Sequence, residues 1–441
     1  MGITATSNHK RSSDAFAITI IGILFFVFGF ITWANSQLIP YLRIACELTL
    51  AQSYLVATAF FAAYFFMAIP SSYILKKVGF KKGMSLGLLV MAAGALLFIP
   101  AANMRAYSLF LLGLFIIGTG LALLQTASNP YVTVLGPLES AAKRISIMGI
   151  CNKIAGIMAV YVLGSIVLSN ADEIKARLLI LPAEEKIAEL DALASRVINP
   201  YIFIAVSLAV LAFIIYRINL PEIREEEVVD DDDQLNFSFG ALETSHKRTN
   251  IFQFPHLIAG AFAIFFYVGV EVISYDTFAN YGEALGFPLD TAKNFASYTG
   301  YGLLLGYLTG IIAIPKIISQ RNALTISILL SITLVLISVF TEGKPAVISF
   351  ALLGFSNALM WPAIWPLAIK GLGRFTKIGS ALLIMGIVGG AIIPPLYGKI
   401  AERIGSLQSA YLIMIPCYLY LLYYSLRGYR AGRKEVPVVI P

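Results

Sequence analysis

Three ionisable side chains stand in otherwise apolar surroundings: Lys153 in GICNKIAGI, and Glu271 and Asp276 in YVGVEVISYDTFANYG. A charge inside such a run is costly, so it faces a cavity or a partner and marks ion or substrate handling. Two roles are open to Lys153: a structural ion pair with one of those carboxylates, or a direct part in substrate or ion coupling. Glu271 and Asp276, five residues apart, point about 140° apart on a regular helix. A break near Gly269 would bring them closer. Carboxylate, amide and hydroxyl oxygens there would suit sodium, and burial of Glu271 would equally favour a proton.

Uncharged polar groups sit in similar apolar runs: Asn35, Ser36 and Gln37; Gln125, Thr126, Ser128 and Asn129; then Asn152, Asn280 and Asn357. An amide both donates and accepts, which suits a neutral, polyhydroxylated ligand. The three tryptophans are Trp33, Trp361 and Trp365. The last two are i, i+4 neighbours, and they serve either as ring-stacking platforms or as packing and interfacial anchors. His9, His246 and His256 are too scattered for a metal site or a catalytic triad. Cys46, Cys151 and Cys417 lack ligand-like spacing. No metal or cofactor is expected, and an enzyme is disfavoured.

The elements that must carry these residues are set by composition. Of 441 residues, 58% are apolar and 13% charged, against about 25% charged in an ordinary soluble domain. Mean hydropathy is +0.81. About 20 apolar residues cross the hydrocarbon core as a helix, and lipid requires each backbone group to be satisfied within that helix. Spans are expected near 15–42, 51–75, 83–102, 107–135, 142–168, 199–218, 256–282, 293–316, 322–341, 345–369, 378–397 and 407–427. Lys153 then lies about 11 residues into the fifth, roughly 16 Å deep, too far for easy snorkelling. The first apolar run is too long for a signal peptide and reads as a transmembrane helix.

Twelve spans put both termini on one side. Lys76, Lys77, Lys81, Lys82, Lys143, Arg144, Lys316, Arg321, Lys370, Arg374 and Lys377 fall in short loops on that side, and Arg43, Arg105, Lys293, Lys344, Lys399 and Arg403 on the other. The bias, with the basic tail, places the termini in the cytoplasm of an inner (plasma) membrane. The net charge of +7 then reads as loop charge facing anionic lipid, with no nucleic-acid partner. Residues 170–198 suggest a short external amphipathic helix.

The stretch 219–252 holds Glu225–Glu227 and Asp230–Asp233. An Asp run of this kind can hold a metal pyrophosphate in prenyl transfer, but without a second such run it reads as a solvated linker. The division is 1–218, a six-helix bundle; 219–252, a cytoplasmic linker; and 253–441, a second bundle. Aligning Gly29 with Gly269 pairs Ser36 with Asp276, and aligning Pro130 with Pro362 pairs Gln125 with Asn357. Two related halves would meet around a central binding site.

The basic loop Lys76-Lys77-Val78-Gly79-Phe80-Lys81-Lys82 resembles the loop signature of the major facilitator superfamily, with Lys76 where an acid is usual. GLALLQTASNPYVTVLG (120–136) resembles the helix 4 signature of the fucose permease-like sugar symporters. PYLRIACEL and RISIMGICNKIAGI are similar to the glucose/galactose transporter branch. The resemblance runs through nearly all twelve spans. It implies an all-α membrane fold of two pseudo-symmetric six-helix bundles, alternating access, a hexose of the glucose, galactose or fucose type at the midplane, and a driving cation, H+ or Na+. The resemblance marks Ser36 and Gln125 as positions where the fucose permease carries its functional acids. With both acids replaced, the coupling charge is expected in helix 7, at Glu271 and Asp276, with Lys153 as counter-ion. Sugar contacts are expected from Asn35, Ser36, Gln125, Asn129, Asn152, Asn357, Trp361 and Trp365. A facilitative sugar uniporter is the alternative; a drug exporter, a membrane-embedded enzyme or a receptor fits less well. The chain is expected to work as a monomer in the bilayer.

Overall fold

The computed structural model describes residues 3–134, 141–218, 250–314, 317–372 and 375–432, with side chains for all but 3–17, 129–134, 141–146 and 377. The acidic runs expected in the linker, the loop charges Lys316 and Arg374, and the side chains of Asn129, Lys143, Arg144 and Lys377 lie outside the described residues. Twelve helices dominate, and we number them in chain order. The first six are α1 (Ile18–Ala45), α2 (Leu55–Val78), α3 (Phe80–Asn103), α4 (Tyr107–Val134), α5 (Ala141–Val167) and α6 (Ile198–Arg217). The second six are α7 (Pro255–Asp276), α8 (Phe295–Ala313), α9 (Gln320–Phe340), α10 (Gly343–Ile369), α11 (Ile378–Ile404) and α12 (Leu407–Leu426). Eleven of these lie in segments long and apolar enough to cross a membrane. The twelfth, α8, is a 19-residue helix rich in Gly, Tyr and Thr.

Helix ends follow local chemistry. Gly79, at φ +80°, stops α2, and Gly405, at φ +70°, stops α11; only glycine takes such angles without strain. α11 runs through Pro394 and Pro395 to Ile404, seven residues beyond the expected end at 397. Its lost backbone donors are tolerated where neighbouring helices cover the freed carbonyls, and the Thr58 hydroxyl donates to the Ala391 carbonyl at 2.7 Å. α7 passes Gly269 unbroken and interrupts only at Thr277, before a second piece, Phe278–Ala284. The break expected near Gly269 is therefore about two turns further on. In place of one external helix, residues 170–198 form two, Ala171–Leu178 and Ala183–Ser195.

The main helix pairs follow one rule: adding six to each helix number maps the first half onto the second. α1 packs on α5 and α7 on α11; α2 on α4 and α8 on α10; α3 on α4 and α9 on α10. The seams between halves obey it too, since α5 packs on α8 and α11 on α2. Gly29 and Gly269 explain one such pair. A Cβ at Gly29 would lie 1.9 Å from the Asn152 carbonyl of α5, and one at Gly269 would lie 2.5 Å from Ile393 of α11. Equivalent glycines thus admit equivalent helices, as small residues do throughout membrane bundles.

Candidate functional site

Lys153 and Glu271 meet at mid-span across the two halves. The Lys153 ammonium lies 3.1 Å from Glu271 Oε1, and the residues are 7% and 8% exposed. Two ions out of water cost several kcal/mol each unless pairing is good and further bonds assist. Here the ammonium also sits 4.3 Å above the Trp33 ring, a cation–π contact strengthened by burial. The Trp33 ring packs tilted against Tyr275 of α7, centroids 4.2 Å apart, and its indole N–H donates to Asn152 Oδ1 at 3.3 Å. Gly156 on α5 makes room for the indole, since a Cβ there would meet Trp33 Cδ1 at 2.4 Å. Tyr267, Tyr307 and Tyr418 surround Glu271.

Asp276 is treated differently. It is 1% exposed, and neither carboxyl oxygen has a hydrogen-bond partner. Asn280, one turn on, donates to the Tyr54 hydroxyl of the other half at 3.1 Å. Asn35, also 1% exposed, leaves both amide atoms unpartnered. Ser36 donates to the Trp33 carbonyl at 2.8 Å, which stabilises the turn where α1 is interrupted at Ala34.

The remaining expected residues divide by access. Asn152 is half-buried and holds α1 through the Phe25 carbonyl at 3.4 Å. Gln125 is half-buried, with its amide free of hydrogen bonds among the described residues. Trp361 and Trp365 are half-buried and stack on each other at 5.4 Å, and Trp361 lies 6.3 Å from Tyr267 beside Glu271. Asn357 instead is sealed inside the second bundle. Its Oδ1 accepts from Tyr418 at 2.9 Å and Ser331 at 3.3 Å, and its Nδ2 donates to Ser274. In this state it joins α7, α9, α10 and α12 and is not open to a ligand.

Sequence reasoning missed a latch at the end opposite the termini. The Asp172 carboxylate, on Ala171–Leu178, accepts the backbone N–H groups of Leu289 and Asp290, both at 2.9 Å. These donors open the short helix Leu289–Ala292 of the other half. Glu402, at the end of α11, accepts the Ala51 N–H at 2.8 Å, which opens the short helix Leu50–Ser53 of the first half. Each half thus caps a helix of the other, satisfying otherwise orphaned donors and meeting the positive end of the dipole. The two caps obey the add-six rule. Lys293 donates to the Leu168 carbonyl at 2.8 Å and to Asp290 at 2.8 Å, its own carbonyl accepts from Gln37, and Lys175 pairs with Glu283. Burial alone would raise the Asp290 carboxyl, but the Lys293 ammonium and the Asp172 N–H outweigh it and hold the group below its ordinary value. One acid two residues into a loop helix carries no motif, so only the fold reveals its partner.

Twelve lipid-length helices in two equivalent halves, with a charge pair at the seam, make a polytopic membrane transporter and not an enzyme. The Major Facilitator Superfamily model matches residues 21–394, and the chain belongs to that superfamily. It is 35% identical over 428 residues to the glucose/galactose transporter of Brucella abortus, covering 96% of each chain. It is 32% identical over 398 residues to the L-fucose-proton symporter of Escherichia coli, covering 90% of this chain and 89% of that one. The crystal structure of the transporter FucP in the outward conformation superposes with a TM-score of 0.69 at 29% identity, covering 96% of this chain and 100% of that one.

Proposed function

We propose that this chain imports a hexose of the glucose, galactose or fucose type by cation-coupled symport with alternating access. The observation that carries the reading is the buried Lys153–Glu271 pair joining the halves at mid-span, with half-buried amides and indoles on the side toward the termini. Similarity to transporters named for glucose/galactose and for L-fucose with a proton supports the substrate class and the coupling. Gln125, Asn152 and Asn129 supply paired donors and acceptors for sugar hydroxyls, and Trp361 and Trp365 offer an apolar ring face. Asn35 and Ser36 complete the site when the halves rearrange, whereas Asn357, held by Tyr418, Ser331 and Ser274 within its own bundle, is a structural amide. Glu271 and Asp276 take the cation, H+ or Na+, and Lys153 is the counter-ion released when the pair opens.

The protein works as a monomer in the inner (plasma) membrane, with both termini cytoplasmic and residues 219–252 joining bundles 1–218 and 253–441. On that orientation the latched end faces outward, so the outer end is closed in the present state. Radiolabelled hexose uptake into proteoliposomes, with a competition panel, tests the reading. Accumulation of a hexose driven by a proton or sodium gradient is expected; no hexose entry under any gradient would sink it.

A further inference from the structure

We infer that Asp276 is the proton-binding site of this transporter, and that its neutral form is what lets the outer end close. The inference rests on the symport reading and names its ion. Asp276 is buried at the interface between the halves, with both oxygens unpartnered. No basic side chain among the described residues forms an ion pair with it; Lys153 is held by Glu271, and Lys293 by Asp290. The groups facing it are acidic or phenolic: Glu271 and Tyr275 on its own helix, and Tyr54 at the start of α2, with Tyr397 and Tyr411 behind. Arg43 of α1 acts on Tyr54 and lines the outer cavity with Lys175 and Glu283. A carboxylate so placed is an uncompensated buried charge, which proteins avoid by protonating the group.

Asn35 is a second buried polar group without a partner at this seam. It opens the outer piece of α1, which packs on α7 and on Phe278–Ala284, and both its amide atoms are unpartnered. A carboxylic acid and an amide satisfy each other in both directions: acid O–H to amide oxygen, amide N–H to acid carbonyl. The balanced step is simple. A proton from the outer solution bonds to a carboxylate oxygen of Asp276 while that end is open. The neutral acid is then buried as the halves close, and the O–H bond breaks to release the proton inward once the inner side reaches it.

The test uses the full chain in lipid with its native cysteines replaced, and spin labels at Leu179→Cys and Glu342→Cys, exposed positions in the outer loops of the two halves. In the unsubstituted protein the short, closed distance should dominate at about pH 5. A longer distance should grow as the pH rises toward about 8, a window chosen to sweep the carboxyl from its neutral to its ionised form. Asp276→Asn should favour the closed distance with no pH dependence, and it should lose sugar accumulation under a pH gradient. An Asp276→Asn protein that keeps the pH response or still accumulates sugar overturns the proposal. So does unsubstituted protein that accumulates sugar only with sodium. If the unsubstituted protein moves no hexose at all, the sugar reading fails, while the distance measurement still decides the proton site.

Discussion

At the scale of single residues, the same helix carries two carboxyls with opposite solutions to burial. Glu271 pairs with Lys153 beside an aromatic box, whereas Asp276 forms no ion pair among the described residues. Removing one partner of a buried pair costs about 3–5 kcal/mol, while replacing both with apolar groups is often neutral or better. Lys153→Met and Glu271→Gln should therefore each lower the thermal stability of the purified protein sharply. The double variant Lys153→Met/Glu271→Leu should regain much of the loss in the same melting assay yet remain inactive in uptake. Recovery of transport by the double variant would reduce the pair to a structural role. A second contrast separates the amides. Asn357→Ala leaves Tyr418, Ser331 and Ser274 short of partners, at about 1–3 kcal/mol for each buried group left unsatisfied. Gln125→Ala touches no described bond, so it should weaken sugar binding with little change in melting temperature.

At the scale of elements, the outer latch is two helix caps exchanged between halves. Replacing a cap acid costs about 0.5–2 kcal/mol, and 1.4 kcal/mol is a factor of ten in an equilibrium. Asp172→Ala and Glu402→Ala should each shift the same label pair toward the open distance, and the double variant further, because the caps are far apart and share no partner. An unshifted double variant would show that the latch is decoration. The interhelical glycines make a complementary forecast. With the Asn152 carbonyl 1.9 Å from any Cβ at Gly29, Gly29→Val should prevent α1 from seating on α5. Loss of folded protein on size-exclusion chromatography is the expected readout.

At the scale of the whole molecule, pH acts on the two ends of one equilibrium through different acids. Asp290 is held below its ordinary value by Lys293 and the Asp172 N–H, against the effect of burial. A depressed carboxyl contributes its stability above its unfolded value, near about 3.9, and loses it only as pH falls through the lower folded value. The Asp290–Lys293 contact should therefore stay intact from about pH 5 to pH 8. Asp290→Asn should leave the pH midpoint of outer-end closing unchanged while weakening closure at every pH. A midpoint that moved with Asp290→Asn would shift the titrating role away from Asp276.

Much of this was legible in the chain itself. Lipid-length apolar runs can only be helices, because the bilayer offers no water to unpaired backbone groups; the number of spans and the halving followed from that constraint. The same logic singled out Lys153, Glu271 and Asp276, since a charge among lipid-length apolar residues always demands a reason. Partnership was not legible. Nothing in the local sequence says that Glu271 and not Asp276 receives Lys153, that Asn357 is sealed in its own bundle, or that Asp172 caps a helix more than a hundred residues away. Those choices depend on how two rigid halves meet, and residues distant in the chain become neighbours only when that seam forms.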